Sequence, residues 1–461
     1  MIRLILFLFL FGGLYSPANN SAKRFRQVQN SFPLLWKSEV GSACFRSNIL
    51  LDSNQLVFGS NGNNFMDYNL YDDLSGLYLI NRKNGKIIRH VVGNKLGDMD
   101  VNGVLFYQDK LYYGNDNEEF ICSSRKGDIL WRLPTSGDIE HEPILIKDHE
   151  KSMIVYATEA GEVCAVDPST GRKYWSYFTQ EFNGWKPGDN RAVFKVKSYF
   201  SNTQSFFTKP SVADLNKDGT DDLVYVTDDK QIIALNGKSG KHLWIRDIPK
   251  RMYDNTIANV GDKINPLFAV KEIAWDSTQF YSHKMLFINA KGMVVRSKDL
   301  EENNYQFGLN SVKTADGKTI FCLENYILLT DASGNCNKIT RIRNFNTKNY
   351  NGDSVVESRN STAALISQTI FSYKGNANCI LVLNQHDGAY FENGFVEIIS
   401  LDSKKVLGTW QLPTGSELAP LVADVNMDGN LDMLISGYDG YLYCYNLEIS
   451  ASNIQKSTLN N

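Results

Sequence analysis

Two acidic stretches, VADLNKDGTDDLVYV (212–226) and VADVNMDGNLDMLIS (422–436), place oxygen-bearing side chains at alternate positions. A calcium ion takes six or more oxygen ligands, and a tight turn with alternate inward side chains supplies them from one short segment. We therefore predict two Ca²⁺ sites, one in each loop. Their ligands are Asp214, Asn216, Asp218, Thr220 and Asp222 in the first loop, and Asp424, Asn426, Asp428, Asn430 and Asp432 in the second.

The surroundings of these loops predict a structural metal rather than a catalytic one. Helix–loop–helix calcium sites have Glu at position 12, where this sequence has Tyr225 and Ile435, and strand-like residues follow. Two metal-free turns rich in Asp and Asn are the alternative, since turns favour both residues. A related segment at 143–156 carries Lys147 and Lys151 where carboxylates are needed, so no metal is expected there.

The elements that must position these loops recur along the chain. AVDPSTGRKYW (165–175), ALNGKSGKHLW (234–244) and CSSRKGDILW (122–131) each place a Trp four residues after a Gly. An apolar run, a polar turn with Gly and a second run form a β-hairpin. Weaker copies keep Gly85, Gly292 and Gly334, and in the copy at 398–410 we assign Lys405 to the Gly position.

The number of repeats predicts the fold. Seven units are complete, and an eighth at 418–447 lacks its last strand. The segment FPLLWKSEVGSA (32–43) resembles such a strand and stands alone near the start. We predict an all-β, eight-bladed β-propeller in which this N-terminal strand completes the last blade, because closure removes exposed sheet edges. A seven-bladed ring is the alternative.

The N-terminal segment of the chain predicts export. Residues 1–22 have one Arg, a short apolar run and a polar exit, as in a secretory signal, with an uncleaved anchor as the alternative. The propeller is predicted at 32–447 and a polar tail at 448–461. We expect a secreted, periplasmic or cell-surface protein, with no transmembrane span after signal removal. A net charge of −3 gives no reason to expect nucleic acid as a partner.

Three of the seven cysteines, Cys122, Cys164 and Cys444, take matching places in the repeats. Matching places predict buried strand positions, where a free Cys packs as a small apolar residue. A disulfide framework is the alternative, and it is more typical of small domains with little core.

The hairpin AVDPSTGRKYW resembles the repeat of the PQQ-binding-like β-propeller family, Ala-x-Asp-x-x-x-Gly-x-x-x-Trp. The two acidic stretches resemble the calcium loops of FG-GAP-type repeats. The resemblance implies a propeller with structural calcium. Quinone-dependent dehydrogenases share the repeat, and many have two adjacent Cys residues beside the cofactor. This chain has no Cys-Cys pair, so we do not expect pyrroloquinoline quinone.

The insertion at 176–207 is the candidate partner surface, because it combines aromatic and basic residues. A lid packed on the ring is the alternative for its aromatic residues, which are Tyr177, Phe178, Phe182, Trp185, Phe194, Tyr199 and Phe200. We expect a non-enzymatic binding or scaffold protein that recognises a protein or a glycan through its loops. The alternative is a propeller enzyme, either a quinone-dependent dehydrogenase or a polysaccharide lyase.

Overall fold

The computed structural model describes most of the chain, in twelve segments. They are residues 32–62, 73–92, 99–148, 151–179, 205–227, 231–248, 257–275, 281–300, 311–323, 326–341, 362–386 and 393–455. These residues form eight antiparallel sheets, each of four or five strands, arranged as the blades of a β-propeller. The predicted eight-bladed, all-β fold is confirmed. The predicted signal at 1–22 lies outside the described residues.

Blades 1 to 4 follow one another along the chain. Blade 1 has β2 (Ile49–Leu51), β3 (Gln55–Asn61), β4 (Ser75–Asn81) and β5 (Ile87–Val91). Blade 2 has β6 (Val104–Tyr107), β7 (Lys110–Asn115), β8 (Glu119–Ser124) and β9 (Ile129–Pro134). Blade 3 has β10 (Ile144–Lys147), β11 (Ser152–Ala157), β12 (Glu162–Val166) and β13 (Lys173–Phe178). Blade 4 has β14 (Ser211–Ala213), β15 (Asp222–Val226), β16 (Gln231–Leu235) and β17 (His242–Asp247).

Blades 5 to 8 complete the ring. Blade 5 has β18 (Ile257–Asn259), β19 (Leu267–Trp275), β20 (Tyr281–Asn289) and β21 (Val294–Leu300). Blade 6 has β22 (Ser311–Lys313), β23 (Thr319–Cys322), β24 (Tyr326–Thr330) and β25 (Cys336–Arg341). Blade 7 has β26 (Thr362–Ile366), β27 (Phe371–Tyr373), β28 (Asn376–His386), β29 (Asn393–Ser400) and β30 (Lys405–Leu412). Blade 8 has β31 (Leu421–Ala423), β32 (Asn430–Ser436), β33 (Tyr441–Ser450) and the N-terminal β1 (Leu34–Glu39).

The N-terminal strand closes the ring, as predicted. β1 runs antiparallel to β33, with Trp36 opposite Cys444 and Ser38 opposite Leu442. Eight apolar clusters occupy the eight interfaces between neighbouring blades, including the interface between blades 8 and 1. Since each blade buries both faces against its neighbours, the middle strands read as continuous apolar runs.

The outer hairpin of each of blades 1 to 7 has a turn capped by a side chain. In blade 3 the Asp167 carboxylate accepts the backbone N–H groups of Ser169 and Thr170 at 2.9 and 2.8 Å. Gly171 follows with a φ of 71°, a left-handed conformation that costs Gly nothing sterically. In blade 7 the residue with this conformation is Lys404, with a φ of 57°. The assignment of Lys405 to the Gly position was therefore wrong by one residue.

Tryptophan joins four of the blades to the next one, since Trp36, Trp131, Trp175 and Trp244 each lie against a Gly of the following blade. The Trp36 ring lies against Gly85 of blade 1, where an added Cβ would come within 2.6 Å of its Cε3 atom. Trp175 and Trp244 lie in the same way on Gly240 and Gly292. The spacing between Gly and Trp therefore reflects contacts between blades as well as the hairpin itself.

Three of these four indoles also donate a hydrogen bond to the next blade. Trp36 donates to the carbonyl of Arg82 at 3.2 Å, and Trp244 donates to that of Ala290 at 2.9 Å. The corresponding carbonyl beside Trp131 belongs to Pro168, which accepts the Tyr112 hydroxyl at 2.9 Å instead. The Trp131 indole N–H is accordingly buried with no hydrogen-bond partner in the described part of the chain.

The seven cysteines are free thiols, and six of them are buried. Cys122 and Cys444 occupy matching strand positions, since each stands opposite a Trp of the outer strand. Cys164 stands opposite Ser176 and is one position earlier in the repeat. The predicted match of all three cysteines was therefore wrong for Cys164, although its predicted burial is confirmed.

The last strand continues beyond residue 447. β33 extends to Ser450, and a short 3₁₀ helix (Ala451–Asn453) follows. The backbone N–H of Gln455 then donates to the Ile370 carbonyl of blade 7 at 2.9 Å. The start of the predicted polar tail thus contacts the ring. No helix in the described residues has the length and apolar character needed to cross a membrane.

Candidate functional site

The two acidic loops occupy equivalent places in blades 4 and 8. The first joins β14 to β15, and the second joins β31 to β32, so each closes the first hairpin of its blade. Ala213 stands opposite Asp222, and Ala423 stands opposite Asp432. The strands therefore hold the two ends of each loop side by side.

Hydrogen bonds inside the first loop bring its oxygen-bearing side chains together. The Asp214 carboxylate accepts the backbone N–H groups of Asp218 and Gly219 at 3.1 and 3.0 Å. Asn216 donates its amide to the Asp218 carboxylate at 2.9 Å, and the Thr220 N–H donates to the same carboxylate at 3.0 Å. Gly219 has a φ of 85°, which explains why Gly stands at this position of the turn.

The second loop repeats this arrangement. Asp424 accepts the backbone N–H groups of Asp428 and Gly429 at 3.0 and 3.1 Å. Asn426 donates to the Asp428 carboxylate at 2.9 Å, and the Asn430 N–H donates to it at 2.8 Å. Two segments far apart in sequence thus adopt one local structure, because their polar residues have the same spacing.

The hydrogen bonding of the last acidic residue differs between the two loops. Asp222 is fully buried, and its Oδ1 atom accepts the Gly237 N–H at 3.0 Å and the Asn236 side-chain amide at 3.2 Å. Asp432 is equally buried, but its Oδ1 atom has no hydrogen-bond partner among the described residues. Burial raises the pKa of each carboxyl to about 6. A cation beside the Asp432 carboxylate would offset this desolvation.

The oxygen-only composition of both loops suits Ca²⁺, and the buried Oδ1 of Asp432 and the buried hydroxyl of Thr220 are without hydrogen-bond partners. The carboxylates of Asp214 and Asp424 are turned onto amide groups of their own loops. In the described segments no group of three or more His, Cys, Asp or Glu side chains is arranged to hold a metal. To bind a metal, some of these carboxylates would have to give up their hydrogen bonds with backbone amides and coordinate the ion instead.

The hairpins at the same place in blades 1 and 3 also begin their turns with Asp. In blade 1, both carboxylate oxygens of Asp52 accept hydrogen bonds from Arg125 of blade 2. In blade 3, the buried Asp148 carboxylate lies 3.4 Å from the ammonium of Lys238 of blade 4. Asp148, not Lys147, stands where Asp214 and Asp424 stand, so the prediction that placed Lys147 at a ligand position was wrong by one residue. The next blade therefore supplies a cation to this position in two blades.

A second polar cluster, centred on the side chain of Asn102, joins blades 1 to 3. Its carbonyl oxygen accepts the Cys44 thiol at 3.0 Å and the Asn61 amide at 2.7 Å. Its NH₂ group donates to Asp116 at 3.3 Å and to Glu140 at 3.0 Å. These residues come from the segments that connect neighbouring blades and from the turns beside them. Nothing in the repeat pattern indicated this cluster.

The chemistry of the Asn102 cluster is that of a structural network. Burial raises the pKa of the Cys44 thiol, which disfavours the thiolate that nucleophilic catalysis requires. Arg46 forms an ion pair of 2.9 Å with Glu140. Nearby, burial lowers the pKa of His141 to about 4, so that its imidazole is neutral at physiological pH. Its Nδ1–H donates to the Glu142 carbonyl at 2.8 Å.

The structure describes two of the seven residues predicted as a partner surface. Tyr177 and Phe178 are the last residues of β13, where both are half-buried. Tyr177 stands opposite Val163, and Phe178 stands opposite Glu162. The other five, Phe182, Trp185, Phe194, Tyr199 and Phe200, lie outside the described residues.

Taken together, eight blades in a closed ring and an Asp/Asn–Gly–Trp hairpin repeat define a β-propeller of the PQQ-like kind. More particularly, the chain belongs to the family described as outer membrane protein assembly factor BamB. The sequence model of that family matches residues 75–334, which is more than half of the chain. No curated protein sequence matches this chain.

Solved structures show the same fold at low sequence identity. The chain is similar to Sqt1 of Saccharomyces cerevisiae, with a TM-score of 0.57, 11% identity, and coverage of 91% of this chain and 100% of that one. A Dos1 propeller gives a TM-score of 0.57, 12% identity, and coverage of 91% and 96%. The computationally designed Ika8 protein gives 0.53, 13%, and coverage of 90% and 100%. At these identities the likeness concerns the fold alone.

Proposed function

We propose that this protein is an exported, non-enzymatic scaffold that binds another protein through its loops. The match of residues 75–334 to the family described as an outer membrane protein assembly factor is the observation that carries the proposal. The closed ring supports it, because indole hydrogen bonds and eight apolar interfaces make a rigid frame for loops. Rigid frames lower the entropic cost of binding a partner.

The partner surface in this proposal is the end of β13 together with the insertion that follows it. Tyr177 and Phe178 are half-buried there, and the sequence continues with Phe182, Trp185 and Lys186. A few residues supply most of the binding energy in protein interfaces, and Trp and Tyr are enriched among them because they bury a large area with few rotatable bonds. A glycan ligand is the competing occupant, because aromatic rings also stack on sugars.

Site-specific photo-cross-linking tests this proposal. A photoreactive phenylalanine analogue in place of Trp185 is expected to cross-link one protein partner in a native-like host. The matched control is the same analogue at Met293, which is 51% exposed on the turn between β20 and β21. Equal cross-linking at both positions would contradict a protein partner. Absence of cross-linking at Trp185, together with binding of the protein to a glycan array, would also contradict it.

We also propose that each acidic loop binds one Ca²⁺ ion with a structural role. In the first loop the ion is held by Asp214, Asn216, Asp218, Thr220 and Asp222. In the second loop it is held by Asp424, Asn426, Asp428, Asn430 and Asp432. The ion supplies positive charge that neutralises the carboxylates, as Arg125 and Lys238 do for Asp52 and Asp148. An ion that binds the folded state and not the unfolded state stabilises the folded state by mass action.

Removing calcium from the wild-type protein is expected to lower its melting temperature. Free Ca²⁺ at one hundred times the dissociation constant stabilises the folded state by about 2.7 kcal/mol for each site. Asp214→Ala and Asp424→Ala should each remove part of this calcium-dependent stabilisation, and the double variant should remove all of it. Differential scanning calorimetry with and without a chelator measures the effect.

Asp299→Ala is the matched control, because that carboxylate is 85% exposed on β21. It should leave the response to calcium unchanged. The carboxylates of Asp214 and Asp424 also accept hydrogen bonds within their loops, so only the difference between chelated and calcium-loaded samples counts. A wild-type melting temperature that ignores both calcium and chelator would show that the loops are only turns.

A further inference from the structure

The second loop lies where the ring closes. It belongs to blade 8, whose outermost strand is the N-terminal β1. Blade 1 contacts this loop through Arg82, a buried residue in the turn between β4 and β5. The Arg82 guanidinium donates hydrogen bonds to the carbonyls of Asp424, at 2.5 Å, and Val425. One side chain thus joins the second loop to the neighbouring blade across the closing interface.

Arg82 also contacts two other parts of this interface. Its guanidinium donates to the carbonyl of Asp52 in the first hairpin of blade 1 at 2.8 Å. Its own carbonyl accepts the indole N–H of Trp36, which belongs to the closing strand, at 3.2 Å. The conformation of the second loop is therefore linked through one residue to the position of β1.

The first loop lacks this link. The residue of blade 5 at the corresponding turn position is Ala290, because it follows Asn289 as Arg82 follows Asn81. Its carbonyl accepts the Trp244 indole, but its methyl side chain cannot donate to a loop carbonyl. The first loop also belongs to blade 4, which the chain connects directly to blade 5. Loosening of the interface between these two blades therefore does not release a terminal strand.

The second loop also has the greater need for a cation. Its buried Asp432 Oδ1 atom is without a hydrogen-bond partner in the described residues, whereas Asp222 Oδ1 accepts two hydrogen bonds. A buried carboxylate oxygen with no donor is costly unless a cation lies beside it. Loss of the ion is therefore expected to disturb the second loop more than the first.

We propose that calcium in the second loop controls closure of the ring. The ion keeps residues 424–432 in the conformation that Arg82 binds, and without it the interface between blades 8 and 1 opens and β1 separates from β33. This inference rests on the proposal that the second loop binds Ca²⁺. It predicts that calcium affects one interface locally, before the rest of the propeller unfolds.

The free cysteines provide the measurement. Cys444 is fully buried opposite Trp36, and Cys44 is buried just beyond β1. Cys164 in blade 3 and Cys322 in blade 6 are equally buried, far from the closing interface in the ring. The full-length protein is exposed to a thiol reagent under native conditions, with calcium or with a chelator. Peptide mass spectrometry then gives the labelling rate of each cysteine.

The chelator is expected to raise the labelling rates of Cys444 and Cys44 about tenfold, the effect of losing one or two hydrogen bonds that hold an interface. The rates of Cys164 and Cys322 should stay close to their values in calcium. Asp424→Ala should reproduce the effect in the presence of calcium, and Asp214→Ala should not. Equal acceleration of all four cysteines, or equal effects of both Asp variants, would overturn the inference.

Arg82→Met tests the hydrogen bonds between Arg82 and the second loop without changing the metal ligands. This variant keeps an apolar side chain of similar length, so Cys444 should label rapidly even with calcium and should not respond to the chelator. Arg125→Met is the matched control, because Arg125 has the same turn position in blade 2 and pairs with Asp52. It should leave the calcium dependence of Cys444 labelling intact.

Isothermal titration of the wild type and of Asp424→Ala identifies which proposal has failed. If the wild type binds two Ca²⁺ ions, Asp424→Ala binds one, and Cys444 stays protected in chelator, calcium binding holds and control of closure is wrong. If the wild type binds no Ca²⁺, both proposals are wrong. Neither result bears on the protein partner, which the cross-linking experiment tests separately.

Discussion

Trp36→Ala is expected to lower the free energy of unfolding by about 3–5 kcal/mol, the range for truncating a large buried aromatic side chain. Trp36 belongs to the closing strand, and its side chain is buried between blades 8 and 1. Its ring covers Gly85, and its indole N–H donates to the Arg82 carbonyl. Truncation leaves a cavity at the interface that holds the two ends of the chain together. The shift in the guanidinium unfolding midpoint measures the effect.

Leu34→Ala is the matched control in the same strand. Leu34 is 49% exposed, so its truncation should change stability by about 0.5 kcal/mol or less. Both variants keep the backbone pairing of β1 with β33. Similar losses in the two variants would mean that strand pairing, rather than the buried indole, holds the ring closed.

The blade count and the closing strand were predictable, because both depend on local patterns. A Gly with positive φ and a Trp at fixed distance mark the outer hairpins of blades 2, 3 and 4, and weaker copies keep the Gly alone. The orphan segment around Trp36 matched the missing strand. The strand position of Cys164 could not be predicted by counting residues along the repeat. In its turn the Gly171 N–H donates to the Asp167 carbonyl four positions earlier, whereas in blade 2 the Gly127 N–H donates to the Ser124 carbonyl three positions earlier. One extra turn residue shifts the match and reverses the face of the strand.

The place of Trp410 within blade 7 and the binding of Arg82 to the second loop were beyond the reach of the sequence pattern. Gly408 takes the Trp position of blade 7, since it stands opposite Ile398, and Trp410 two residues later covers it. The binding of Arg82 to the second loop joins residues more than three hundred positions apart. No periodicity indicates such a pair, because the side chain leaves its own repeat and reaches the next blade.

The four Asp residues that begin the first hairpin turns of blades 1, 3, 4 and 8 support the calcium proposal together. Arg125 neutralises Asp52, and Lys238 neutralises Asp148, each from the following blade. Asp214 and Asp424 begin the two acidic loops, where further carboxylates raise the local negative charge. Arg82 also reaches this position in blade 8, but it binds the backbone carbonyls of the second loop and not its carboxylates. A position whose carboxylate receives a side-chain cation in two blades is therefore suited to a metal cation in the other two. The two acidic loops, which carry the additional negative charge, are then the ones that need the ion.

Gly240→Ala is expected to cost about 2–5 kcal/mol of stability, from two sources. The φ of Gly240 is 70°, and a left-handed backbone costs a residue with a side chain about 1–2 kcal/mol. An added Cβ would also meet the indole of Trp175, with Cδ2 only 2.6 Å away, and overpacking costs about 1–3 kcal/mol. The Trp175 indole cannot move freely, because its N–H donates to the Gly237 carbonyl.

Gly375→Ala separates the two sources. Gly375 has a φ of 76°, but an added Cβ there would meet no atom within 4 Å. This variant should cost only the backbone part, about 1–2 kcal/mol, as measured by the same unfolding midpoint. The difference between the two variants gives the energy of close contact between Trp175 and the next blade. A difference near zero would mean that the Gly is kept only for its turn, and that the indoles do not hold neighbouring blades in register.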